Sequence, residues 1–162
     1  MLGAAALGAC LALPPATSAT ATHASAQSAA CAGGATTRMV CYHERTRGRL
    51  GLGRLHRNPE LDRAARLKAQ QIVRCHRFAH SPCAEPWDGV FFDVGYLPWR
   101  RGWAVGENLA YGWSVAYGAF RGLMRSPPHR ANILDPTFRE IGVFETTSPW
   151  GPLWVVEYGR RL

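Results

Sequence analysis

Between Met1 and Ala26 the sequence contains no Lys, Arg, Asp or Glu. Nowhere does it contain a run of about 20 apolar residues, the length a helix needs to cross a bilayer. No membrane-spanning helix is therefore expected. The short Ala-, Leu- and Gly-rich stretch Leu2 to Leu13 fits the apolar region of a signal peptide, although no basic residue precedes it. Ala24-Ser25-Ala26 supplies a small-x-small cleavage site, so residues 1–26 are expected to be removed on export and the protein to be secreted. A second reading takes Leu7-Gly8-Ala9-Cys10 as a lipoprotein box with Cys10 acylated.

Other absences narrow the function. No Cys-x-x-Cys or Cys-x-x-His pair is present, which argues against a cysteine-based zinc site. Neither Ser81 nor Ser126 lies in the Gly-x-Ser-x-Gly elbow of hydrolases. No internal repeat or second linker divides the chain, and no groove-reading motif accompanies its positive charge, so nucleic acid is not an expected partner. Residues 27–37 read as a small polar leader and 38–162 as one domain, expected to be monomeric.

With Cys10 removed, Cys31, Cys41, Cys75 and Cys83 remain. An even number in an exported chain suggests disulfides. Of three pairings, the local one, Cys31–Cys41 with Cys75–Cys83, is favoured. Each bridge would close a loop of roughly ten residues, worth about 2.5 kcal/mol in the chain-entropy model.

Charge is concentrated. Arg38 to Arg77 holds ten Arg and one Lys against Glu44, Glu60 and Asp62, a net +8, while Phe78 to Leu162 balances eight Arg with eight acids. Such a region outside the cell would meet anionic lipid headgroups or cell-wall polymers. The plain alternative is a solvated, Arg-rich helix surface.

The pattern predicts a first helix capped by Thr36 or Thr37, running through Thr46 and ended by Gly48 and Gly51. Asn58-Pro59-Glu60 starts a second, continued by Leu61, Ala64, Ala65, Ala69, Ile72 and Val73 to about Arg77. Pro82 to Gly106 reads as a long loop. Val115 to Arg125 reads as a short helix stopped by Pro127-Pro128. Arg139 to Thr146 and Leu153 to Tyr158 alternate as strands around a turn at Ser148-Pro149-Trp150-Gly151. Helices followed by a hairpin indicate an α+β fold.

Three stretches carry chemistry: Phe78-Ala79-His80-Ser81, Gly106-Glu107-Asn108-Leu109-Ala110, and Ser126-Pro127-Pro128-His129-Arg130-Ala131-Asn132-Ile133-Leu134. Each is expected at an element end, where side chains can converge on a cleft. Two His and a Glu could ligate a metal, act as acid–base partners, or simply stitch loops together by hydrogen bonding. His76 and His80, at i and i+4, would share a helix face if the helix reached them. His43 and His56 are expected at the surface. Trp87, Trp99, Trp103 and Trp113 read as loop anchors rather than a sugar platform, and Trp103 and Tyr111 flank Glu107.

With Ile141-Gly142-Val143 and the closing Trp154-Val155-Val156-Glu157-Tyr158-Gly159, these motifs resemble the CAP superfamily, closest to its small bacterial secreted members. The resemblance implies an α-β-α sandwich with a small antiparallel sheet between helical layers. It also implies a cleft of two His and two acids, where some members bind zinc or another divalent metal. Matched by motif, the cleft residues are His80, Glu107 and His129, with His80 and His129 the metal ligands. The second acid is missing from Phe120 to Ser126, and Ser126 stands near its corner. A required cofactor is not implied. The expected function is a non-enzymatic extracellular binding module, taking a divalent metal or a lipid or cell-envelope ligand. The alternative is a metal-assisted extracellular hydrolase.

Overall fold

The computed structural model describes residues 31–97 and 102–161. The leader, Cys10, the Ala26 cleavage site and Trp99 lie outside the described residues.

Helix α1 spans Ala35–Arg49 and starts from Gly34, two residues before Thr36, the first of the two expected Thr caps. Its inward positions, Met39, Tyr42, His43 and Arg47, recur at helical spacing and are all buried. His43 is therefore not at the surface. Its Nδ1 bonds the Met39 carbonyl at 2.8 Å and its Nε2 bonds the Tyr158 hydroxyl at 2.8 Å. Burial holds its pKa down at about 4, leaving the ring neutral. Nor is Arg47 part of an exposed basic face. Its guanidinium donates to the carbonyls of Gly53, Ile133, Asp135 and Phe138, tying the end of α1 to the segment that carries His129.

Strand β1, His56–Arg57, leads into helix α2, Pro59–Arg74. The Asn58 side chain accepts from the backbone N–H of Glu60 and Leu61, and Pro59 occupies the first turn, where its missing N–H costs nothing. The helix ends at Arg74, short of Arg77. The Cys75–Cys83 bridge and a left-handed His76 (φ 48°) turn the chain away, so His76 and His80 share no helix face.

The stretch expected to be a loop contains helix α3, Gly89–Asp93, and the start of strand β2, Trp103–Tyr111. Helix α4, Ala116–Arg125, is followed by α5, Pro127–Leu134. The two prolines that stop α4 also open α5, because the first turn of a helix needs no N–H donors. Strands β3, Glu140–Ser148, and β4, Gly151–Arg161, form the expected hairpin.

The sheet order is β1-β3-β4-β2, antiparallel except for the two-residue β1, which pairs parallel with β3. The fold is α+β, with helices on both faces of the sheet. Trp154, Val156 and Tyr158 of β4 face α1, α4 and α5, while Leu153 and Val155 face α2. Gly142 of β3 allows α2 to approach: a Cβ there would fall 2.1 Å from the Leu61 carbonyl carbon. Cys31–Cys41 and Cys75–Cys83 are both formed, with Cα separations of 5.7 and 5.6 Å.

Candidate functional site

Glu107 lies in the middle of edge strand β2 rather than at an element end, opposite Glu157 of β4. Antiparallel partners share a face, and this one lies under α2. The Glu107 residue is 4% exposed and Glu157 is 0% exposed. Glu107 Oε1 accepts from His80 Nδ1 at 2.5 Å, which orients the half-exposed imidazole. Glu107 Oε2 lies 3.2 Å from the ammonium of Lys68, which also donates to the carbonyls of His80 and Trp87. Oε1 is thus hydrogen-bonded, while Oε2 is ion-paired with Lys68 but receives no hydrogen bond among the described residues.

Glu157 completes a buried trio. Among the described residues, no donor reaches either of its oxygens, so an ionised carboxylate there would lack a partner. Burial, then the charge of Glu107, pushes its pKa well above the usual range. Both effects favour the neutral acid.

Two asparagines lock the strand to the His129 segment. Asn108 Nδ2 donates to the His129 carbonyl at 2.9 Å and to the Tyr158 hydroxyl at 3.0 Å. Asn132 Nδ2 donates to the Glu107 carbonyl at 3.1 Å and to Asn108 Oδ1 at 2.9 Å. Gly106 is needed beside them, since a Cβ would fall 2.8 Å from the Phe138 ring.

The three matched residues line neighbouring cavities. His80 and Glu107, with Ser81, Trp87 and Asn132, line a polar one of about 520 Å³. His129 lies in a smaller one of about 200 Å³, walled by Phe78, Leu109, Tyr111, Trp113 and Leu123, with Ser126 at its edge. Burial, then the charge of His80, lowers the pKa of His129. Trp103 packs edge-on against Phe92 instead of lining either cavity.

These residues fit a resident metal poorly. Zinc usually takes three or four protein donors. Here the matched motifs offer two imidazoles, no acid lies between Phe120 and Ser126, and Glu107 is held by His80 and Lys68. Among the described residues, no group of three or more His, Cys, Asp or Glu is arranged to hold an ion.

Lys68 and Glu157 were legible only as anomalies. Lys68 falls on the apolar stripe of α2 between Ala64 and Ile72, and Glu157 interrupts the apolar run Trp154 to Tyr158.

The family model described as the cysteine-rich secretory protein family, CAP, matches residues 40–158. The Bacillus subtilis protein YkwD is 32% identical over 115 residues, covering 69% of this chain and 42% of its own length. The chain thus spans less than half of that relative. An outer surface protein of Borrelia burgdorferi superposes with a TM-score of 0.66 at 17% identity, over 76% of this chain and 90% of that one. An extracellular SCP-domain protein of Bacillus anthracis gives 0.66 at 20% identity, over 77% and 40%. The motif order, the sheet and the family match lead to one conclusion: the chain belongs to the CAP family of cysteine-rich secretory proteins.

Proposed function

We propose that the domain is a non-enzymatic extracellular binding module for an amphiphilic ligand of the cell envelope, an anionic lipid in particular. One observation carries this reading. Along β2, on either side of Asn108, a polar cavity holding His80 and Glu107 adjoins an apolar, aromatic-walled cavity. A molecule with a polar head and an apolar tail suits that pairing. The exposed arginines of α1 and α2, among them Arg45, Arg49, Arg63 and Arg66, would draw it to an anionic surface. Export through the 1–26 leader accords with the outer-surface and extracellular proteins of the same fold.

Glu107 is buried, hydrogen-bonded to His80 and ion-paired with Lys68, which weighs against a base role and the metal-assisted hydrolase reading. Titrating the protein with a single-chain phosphatidylglycerol, followed by tryptophan fluorescence, tests the proposal. Saturable binding that Tyr111→Ala weakens about tenfold supports it. Absence of binding, or cleavage of a peptide library by the purified protein, contradicts it.

A further inference from the structure

Lys68 is the sole lysine of the chain, and it is fully buried. Its place in α2 follows the apolar spacing of Leu61, Ala64, Ala65, Ala69 and Ile72, which carries the ammonium to the sheet instead of to solvent. There it makes three contacts: hydrogen bonds to the carbonyl of His80 at 2.5 Å and the carbonyl of Trp87 at 2.7 Å, and an ion pair with Glu107 Oε2 at 3.2 Å. The first two hold both ends of the cleft wall formed by residues 80–87. The third neutralises the carboxylate that orients His80.

We infer that Lys68 is a built-in cation that takes over, in this cleft, the charge-balancing and organising role a divalent metal would have, so that His80 and Glu107 are held in place without one. A fixed ammonium beside Glu107 repels an incoming dication, and Glu107 cannot serve both. Glu157, opposite Glu107 on β4, is buried with no donor to either oxygen among the described residues, a setting that favours a neutral acid over a second anion. The second acid, missing from α4, is thereby replaced from β4 by a group suited to a lysine rather than to a metal. The inference is independent of which ligand the cavities take.

The test uses the mature protein stripped of metal by a chelator, with the imidazole nitrogens followed by NMR at mildly alkaline pH. The expected result is a single His80 tautomer with the proton on Nδ1, unchanged by stoichiometric zinc. Lys68→Gln should lose that fixed tautomer and bind zinc at least about tenfold more tightly than the parent, read by competition with a chromophoric chelator. Glu157→Gln, which keeps a neutral group at that position, should match the parent in both readouts. If Lys68→Gln does not fold, the parent decides alone. A His80 ring that is averaged between tautomers until zinc is added, or zinc that shifts His80 and His129 stoichiometrically in the parent, overturns the inference.

Discussion

Lys68 Nζ stands 3.2 Å from Glu107 Oε2, and the two side chains are 0% and 1% exposed. Breaking a buried pair strands one charge, at a cost of about 3–5 kcal/mol, whereas replacing both partners can be nearly neutral. Lys68→Met and Glu107→Gln should each destabilise the domain by about that amount at neutral pH. The double variant should be more stable than either single one. A urea-unfolding cycle checks this, and additive losses would show that the two charges do not depend on each other.

Glu157 makes stability fall as pH rises above about 4.5. Its folded pKa lies well above the usual 4.5. Above pH 4.5 the unfolded chain has released a proton that the folded domain retains, so stability falls as pH rises through that window. Glu157→Gln removes the titration and should flatten the decline. Denaturant midpoints measured from about pH 5 upward would show parallel slopes if Glu157 were ionised in the native state.

His43 sets the acid side, with the opposite sign. Its pKa falls from 6.5 to about 4 on folding. Below pH 6.5 the unfolded chain binds a proton that the folded domain refuses, so stability is lost as pH falls toward 4. The full interval corresponds to about 3 kcal/mol. In His43→Gln the stability difference between about pH 7 and about pH 4.5 should shrink by a comparable amount. An unchanged difference would mean that His43 charges within the fold.

The arginine surface predicts salt-sensitive attraction. Of the eleven cations between Arg38 and Arg77, Arg47 and Lys68 are buried, leaving nine at or near the surface. Co-sedimentation with phosphatidylglycerol vesicles should weaken as added salt shortens the screening length from about 10 Å at 0.1 M to about 3 Å at 1 M. Arg63→Glu with Arg66→Glu should weaken it further at low salt. Salt-independent binding would return this region to an ordinary solvated surface.

Elements whose cues are local were readable from the sequence. The Asn58 cap with Pro59 starts α2, and the period-two strands Glu140–Ser148 and Gly151–Arg161 close on a Pro- and Gly-containing turn. Elements that depend on distant partners were not. Strand β1 exists only through two parallel pairings with β3, and β2 opens in a Trp- and Gly-bearing stretch with no alternation. Helix α5 was hidden because proline serves equally as a stop and as a first-turn residue. At the site, the motifs supplied His80, Glu107 and His129, while Lys68 and Glu157 entered through tertiary packing. A buried charge is readable only once the apolar faces on either side of it are known.

The binding proposal is tested most directly by backbone amide NMR of the domain titrated with a single-chain phosphatidylglycerol below its micelle concentration. The account predicts saturable shifts centred on Gly106, Glu107, Leu109, Ala110 and Tyr111, with His80 and His129 moving alongside them. Shifts confined to the arginine faces of α1 and α2, with β2 unmoved, would contradict it.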